Sequence, residues 1–338
     1  MKYFKIKKKI IGSNNPTFTI AEIGLNHNGD AETCGKLINQ AKLSGADSVK
    51  LQVSEPEESY AKETQSYKIF KKNLLKPSEI LNLKKYAEKK GIIFFFTAGD
   101  FKSLNLAKKF KIPAIKISSG LMTNIPLVTE ASKLKVPMII STGMAYKNEI
   151  KKTLEIAKKN NKSGIALMKC TSLYPAPFNT VNLLAIKNFI NTFKVPVGYS
   201  DHTKNDLAIL SAVSLGAKII EKHFTLNKKQ SGVDHRFSFE PKDLKKLVDN
   251  IKQIEILMGN KDIKPHKDEI PQRNKNYRCI LASKKIKRGE KLTIFNIALK
   301  RSLKYKSSLS SKYFYRVLKK KAKKNIRVDE RILFKKLI

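Results

Sequence analysis

The sequence predicts an α/β fold: a (β/α)8 TIM barrel followed by a small C-terminal domain. Three observations lead there. Short apolar, β-rich runs alternate with amphipathic stretches almost to residue 258, as in a parallel sheet with helices outside. The runs number eight, the count of that barrel. After Tyr277 the alternation stops and short strand-like pieces and turns take over. A doubly wound open sheet is the alternative, but no glycine-rich phosphate loop of the GxGxxG or GxxxxGK type follows any strand.

The strand candidates in order are 17–24 (TFTIAEIG), 48–53 (SVKLQV), 92–98 (IIFFFTA), 114–119 (AIKISS), 137–143 (PMIISTG), 165–170 (IALMKC), 195–200 (VPVGYS) and 218–224 (KIIEKHF). Helix-like stretches such as 31–46, 77–91 and 205–217 lie between them. One punctuation recurs: a lysine-bearing helix, a Gly or Pro, then the next strand, as in KKGIIFFF, FKIPAIKI, LKVPMIIS and FKVPVGYS. A final helix over 241–259 closes the series. The expected boundaries are a barrel over 1–260, a polar linker over 261–276 and a small domain over 277–338. A core of about sixty residues is marginal alone, so this domain is expected to lean on the barrel or on a second chain.

Lys+Arg outnumber Asp+Glu by 69 to 28, a net charge of +41. Such a balance points to nucleic acid, a membrane surface or an anionic substrate. The lysines run through the whole chain, however, and no basic strip interleaved with aromatics stands out. We read lysine as the default polar residue and expect no nucleic-acid partner. Cys34, Cys170 and Cys279 are odd in number and far apart, which makes neither a disulfide framework nor a CxxC metal pattern. MKYFKIKKKIIG is basic without the apolar core of a signal peptide, and no stretch reaches membrane-spanning length. The expected compartment is the cytoplasm.

In such a barrel the chemistry collects at the C-terminal ends of the strands. The polar residues there are Glu22, Asn26, His27 and Asn28, then Lys50 and Gln52, Thr97, Lys116 with Ser118 and Ser119, Ser141 and Thr142, Lys169 with Thr171, Ser172 and Tyr174, Asp201 and His202, and Glu221 and His223. Any one of these could be an ordinary rim residue. As a set they are not, because ionisable groups on apolar strands are costly unless paired or used. Two strand lysines with hydroxyls nearby describe a phosphate or carboxylate pocket. His202 and His223 end adjacent strands, so their imidazoles can converge. Two imidazoles are too few for a structural zinc site, but they suit a divalent metal that keeps open positions for water and substrate.

The motifs AEIGLNHNGD, GADSVKLQ, KISSG, STGM, CTSLYPAP, GYSDHT, EKHFT and GVDHRFSFEP, in this order, resemble the sialic acid synthase family over almost the whole chain. The tail, ILASKKIKRGEKLT…IALKR, resembles the small antifreeze-like (SAF) domain that ends those enzymes. The resemblance implies an enzyme, a transferase that condenses phosphoenolpyruvate with an N-acetylmannosamine-type aldose to a nine-carbon 2-keto-3-deoxy acid. It implies a divalent metal, Mn2+ or alternatively Mg2+ or Co2+, on His202 and His223. It implies phosphoenolpyruvate contacts at Lys50, Lys116, Ser119, Ser141, Ser172 and Tyr174, and an acid/base at Glu22. Gln52, Thr97 and Asp234 fall on the substrate side. Arg301 matches a tail arginine that reaches the sugar pocket of the other subunit in a domain-swapped homodimer. Two departures fall on the sugar side: Leu121 replaces a common acidic contact in KISSGL, and Ala98-Gly99 stand in FTAGD. They keep a legionaminic or pseudaminic acid synthase on the same template as an alternative. A polyanion-binding basic protein is the non-enzyme alternative.

Overall fold

A computed structural model describes residues 3–12, 14–303 and 307–338. Two compact units divide the chain, Met1–Gly259 and Asn260–Ile338. The first begins with a hairpin, β1 (Phe4–Ile6) and β2 (Lys9–Ile11). Eight parallel strands then close into a barrel: β3 (Phe18–Gly24), β4 (Ser48–Val53), β5 (Ile93–Ala98), β6 (Ile115–Ile117), β7 (Met138–Ser141), β8 (Ile165–Cys170), β9 (Val197–Asp201) and β10 (Ile219–His223). The last strand pairs with the first, Ile219 opposite Phe18 and His223 opposite Glu22. Each of the eight barrel strands lies where an apolar run predicts it.

The helices of this unit are α1 (Ala31–Leu43), α2 (Pro56–Ser59), α3 (Gln65–Lys72), α4 (Pro77–Lys90), α5 (Phe101–Lys109), α6 (Ile125–Lys133), α7 (Lys147–Asn160), α8 (Ala185–Phe193), α9 (Leu207–Ser214) and α10 (Pro241–Met258). Their starts follow capping chemistry. Asp30 accepts from the amides of Glu32 and Thr33 at the start of α1, and proline opens α4 and α10, where a missing N–H costs nothing. The recurrent punctuation has a backbone meaning. Lys111, Lys135 and Lys194 each take a left-handed conformation, with φ of 51°, 56° and 55°. The following Ile112 and Val195 are buried, and a proline leads into the strand.

Inward-facing positions alternate along each strand, and their chemistry changes with height. At the N-terminal end they are apolar: Phe18, Ile20, Phe95, Ala114, Ile139, Ala166, Met168 and Ile219 form one cluster with Phe4, Ile6 and Ile11 of the hairpin. The hairpin thus plugs that mouth. Two residues further along the same faces stand Glu22, Thr97, Lys116, Ser141, Cys170 and Glu221, all buried. The core changes from hydrocarbon to ionic groups within one side-chain layer.

The second unit pairs β11 (Arg278–Ala282) with β12 (Ile297–Arg301) in antiparallel fashion. It has its own core, which includes Ile280, Ile286, Leu292, Ile297, Ile326 and Ile332. The polar segment at its start carries a short helix, α11 (Ile270–Asn276), and a further one, α12 (Phe314–Val317), follows β12. Among the described residues, no helix is long and apolar enough to cross a membrane.

Candidate active site

The strand alternation delivers two lysines and two carboxylates to the C-terminal mouth. Lys50 Nζ lies 2.8 Å from Glu22 Oε2, donates to Thr97 Oγ1 at 3.1 Å and stands 3.9 Å from Glu221 Oε1. Lys116 Nζ lies 2.8 and 2.7 Å from the two oxygens of Glu221. β6 and β10 are opposite each other in the ring, so this pair crosses the barrel axis. Ser200 Oγ also donates to Glu221, at 3.1 Å, and Gln52 Nε2 donates to Glu22 Oε1 at 2.9 Å. Lys50 and Lys116 are each 2 % exposed. Both lysines are ion-paired, as burial requires: an unpaired ammonium this deep would lose its proton rather than stay charged.

The electrostatics separate the two carboxylates. Burial raises the pKa of Glu22, with the charge of Glu221 acting the same way and Lys50 opposing. Burial also works to raise that of Glu221, but Lys116 and Lys50 outweigh it and carry the value down to about 2. Glu221 is therefore held as the anion of the cluster, and Glu22 is the carboxyl whose neutral form burial favours. Burial lowers Lys116. It also opposes protonation of Lys50, but Glu22 and Glu221 overcome it and the net direction there is upward. Asp234 is raised to about 6, by burial first and then by the charge of Glu22.

Beside this cluster the imidazoles of His202 and His223 stand with ring centroids 5.5 Å apart. Tyr174 lies 4.2 Å from the His202 ring and 6.4 Å from His223, and Phe237 lies 5.1 Å from His223. Burial lowers the pKa of His202; burial, and then the His202 and Lys50 charges, lower that of His223 well below normal. Both rings are neutral at pH 7. His202 Nδ1 sits 2.7 Å from the Thr171 carbonyl, which only accepts, so Nδ1 carries the hydrogen and Nε2 keeps a lone pair. His223 Nδ1 is buried with no hydrogen bond; its nearest acid, Asp234 Oδ2, is 3.5 Å away. Among the described residues, no three His, Cys, Asp or Glu side chains gather around one point. The donor set fits a two-histidine metal site that leaves other positions to water and substrate.

A third group comes from β6, β7 and β8. Gly143 N donates to Ser119 Oγ at 3.0 Å. A Cβ on Gly143 would stand 2.3 Å from Ser172 Oγ and 2.8 Å from Ser119 Oγ, so only glycine lets these hydroxyls meet. Ser172 Oγ is buried without a hydrogen-bond partner. Ser141 is buried at the end of β7.

Of the predicted site residues, Glu22, Lys50, Gln52, Thr97, Lys116, Ser119, Ser141, Ser172, Tyr174, His202, His223 and Asp234 all belong to the barrel mouth. Arg301 is exposed on β12 of the second unit. Sequence reasoning missed the central role of Glu221, the support from Ser200 and the packing of Phe237. Parity was the available signal, because Ser200 and Glu221 are in register on β9 and β10. Of the remaining histidines, His27 accepts from Gly29 N at 3.1 Å and His235 is held by Thr225 at 2.7 Å. Both have local structural work.

Comparison with known proteins agrees with this geometry. The NeuB family model matches residues 37–263. The N,N'-diacetyllegionaminic acid synthase of Campylobacter jejuni is 39% identical over 94% of this chain and 98% of its own length. Human N-acetylneuraminate-9-phosphate synthase is 32% identical, covering 86% of this chain and 84% of its own. The crystal structure of N-acetylneuraminic acid synthetase from Leptospira borgpetersenii, in complex with citrate, superposes with a TM-score of 0.77 at 36% identity, over 81% of this chain and 97% of that one. A family match across most of the barrel and full-length relatives above 30% identity lead to one conclusion: the chain is an enzyme of the NeuB family, the family of the sialic acid synthases.

Proposed function

We propose that this enzyme condenses phosphoenolpyruvate with an open-chain 2-acetamido aldose, N-acetylmannosamine or a relative. The products are a nine-carbon 2-keto-3-deoxy sugar acid and phosphate. The observation that carries the reading is the juxtaposition of a buried Lys50–Glu22 and Lys116–Glu221 cluster with two neutral, lone-pair-bearing imidazoles. One half is suited to an anion and the other to an aldehyde oxygen.

The chain's own groups divide the work. Lys50 and Lys116 hold the phosphate and carboxylate, helped by the Ser119, Ser141 and Ser172 hydroxyls and by Tyr174. Gln52 and Asp234 orient the sugar. A divalent metal on His202 and His223, Mn2+ foremost, supplies Lewis-acid polarisation of the aldehyde when bound. The methylene carbon of phosphoenolpyruvate forms the new C–C bond to the aldehyde carbon. Water adds at the phosphate-bearing carbon and Glu22 takes its proton, while the former aldehyde oxygen is protonated to a hydroxyl; the tetrahedral carbon's bond to the phosphate oxygen then breaks as its hydroxyl gives its proton to the leaving phosphate and becomes the 2-keto group. The lysines stabilise the departing phosphate.

The second unit serves as an SAF-like domain whose Arg301 reaches the sugar pocket of a partner subunit in a domain-swapped homodimer. The Campylobacter relative's name and Leu121 favour a second reading on the same template, legionaminic acid synthesis.

The test is phosphate release from phosphoenolpyruvate with an N-acetylated aldose. Chelation should abolish it and Mn2+ should restore it. His202→Ala and His223→Ala should lose both turnover and measurable Mn2+ binding while keeping the wild-type melting temperature. Full activity in a metal-free preparation would remove the metal from the reading.

A further inference from the structure

Two fully buried charges play no part in the mechanism above. Lys222 and Asp201 lie 2.6 Å apart, with side chains 1 % and 0 % exposed. They stand opposite each other in the register of β10 and β9. Each comes directly before one of the two histidines, Asp201 before His202 and Lys222 before His223. Strand alternation turns Lys222 away from the face that carries Glu221 and His223, and Asp201 away from that of Ser200. The pair is therefore behind the barrel mouth rather than in it.

The pair binds the backbone that flanks the histidines. Asp201 Oδ1 accepts from the Thr203 amide at 3.2 Å and from Tyr199 Oη at 3.0 Å. Asp201 Oδ2 accepts from Thr203 Oγ1 at 3.1 Å, and Lys222 Nζ donates to the Thr203 carbonyl. His202 is thus bracketed, because the residues before and after it are tied to each other and to the next strand. On the β10 side, the Lys222 ammonium stands 4.6 Å from the centroid of the Phe239 ring. The Phe239 amide in turn donates to the His223 carbonyl at 2.8 Å.

Stability alone gives little reason for such a pair, since hydrocarbon of similar volume often serves as well as two buried charges. Hydrocarbon cannot hold the amide, hydroxyl and carbonyl of Thr203 in place. The imidazoles need that support. His223 Nδ1 has no hydrogen bond, so backbone and packing orient its ring. A site with only two protein ligands binds an ion well only if both are held in position before the ion arrives.

We propose that Lys222 and Asp201 are positioning residues for the metal site, a buried clamp that sets the separation of the His202 and His223 rings. The inference rests on the two-histidine metal reading above.

The test measures Mn2+ binding directly, by calorimetry on metal-stripped protein, beside a denaturant titration of the same metal-free sample. Single variants would strand a buried charge and unfold the strand ends, so Asp201→Asn is combined with Lys222→Met. The double variant should keep a denaturation midpoint near that of the wild type and bind Mn2+ roughly ten- to a hundredfold more weakly, the scale of lost outer-shell partners. Turnover should recover at saturating Mn2+, and KM for phosphoenolpyruvate should not change, because Lys50 and Lys116 are untouched. Tyr199→Phe removes one bond to Asp201 and keeps the ring; it should weaken Mn2+ binding roughly two- to tenfold, the scale of one hydrogen bond. If the double variant does not fold, Tyr199→Phe decides alone. Wild-type Mn2+ affinity in the folded variants, with or without a lowered midpoint, makes the pair merely structural and overturns the clamp while the metal reading stands. A wild-type protein that binds no Mn2+ overturns both.

Discussion

Glu221 shows how a residue gains its character from what surrounds it. Its carboxylate is buried yet strongly ionised because Lys116 and Lys50 both face it. Glu22, on the neighbouring strand, shares Lys50 and is pushed the other way. Two buried ion pairs thus leave two carboxyls with opposite tendencies, an arrangement by which a single site can hold an anion and also move a proton. The same arrangement predicts what removing Lys116 does. Lys116→Ala deprives a buried anion of its principal partner, which costs about 3–5 kcal/mol of stability. It also removes the proposed charge-assisted contact to phosphoenolpyruvate, worth about 2–3 kcal/mol, so kcat/KM should fall by roughly thirty- to a hundredfold. Pairing Lys116→Met with Glu221→Leu replaces the ion pair by hydrocarbon, and such swaps are often neutral for stability. Denaturant titration should therefore find the double variant restored, while the phosphate assay finds it still impaired. A double variant that regains activity would mean that the pair is only structural.

At the scale of elements, the helix–strand junctions offer the clearest test. Lys111, Lys135 and Lys194 occupy left-handed backbone, where an L side chain costs about 1–2 kcal/mol. Glycine removes that strain but brings back about 0.5–1 kcal/mol of unfolded-state entropy. Each Lys→Gly change should then stabilise the barrel by about 0.5–1 kcal/mol. Lys111 and Lys135 precede the neighbouring strands β6 and β7 and can couple, whereas Lys194 precedes β9, two strands away from β7, so its effect should add to theirs. A rise in the denaturation midpoint, with turnover unchanged, is the expected result; destabilisation by all three would show that the lysine stems pack usefully. These junctions were visible in the sequence as the repeats FKIP, LKVP and FKVP, and so were the eight strands, because β-rich runs bounded by Gly and Pro have few other uses. The N-terminal hairpin was not visible. Its two strands have three residues each, too few for a period, and the lysines between Phe4, Ile6 and Ile11 read as a merely basic segment. α2 and α3 were missed for a related reason: they are four and eight residues long inside a polar stretch, although Tyr60, just after α2, and Phe70 of α3 stand with ring centroids 5.0 Å apart. The Lys116–Glu221 contact spans 105 residues, and only the closed ring of strands brings its ends together.

For the whole molecule, the excess of positive charge and the second unit pose one question: what the tail contributes to a barrel that already holds its ionic cluster. Many lysines on the outer helices are solvated, some tied to acids one turn away, as in Lys36–Glu32 and Lys245–Asp249, where pairs are worth little. Arg301 is also exposed, at the end of β12, and by its own surroundings it is one more surface charge. The proposed assembly gives it a different value. If the tail crosses to a second chain, each active site is built from one subunit's barrel and the other subunit's arginine. Glu22→Ala disables a barrel and leaves its tail intact; Arg301→Ala does the reverse. Each variant alone should be inactive. Mixed and allowed to exchange subunits, they form dimers in which one of the two sites joins an intact barrel to an intact arginine. At equal mixing roughly a quarter of wild-type activity should return. Subunit exchange is checked independently with differently tagged chains. Two inactive parents, demonstrated exchange and no recovered activity would mean that the tail serves its own barrel, and an Arg301→Ala chain that is fully active alone would make the arginine an ordinary surface charge.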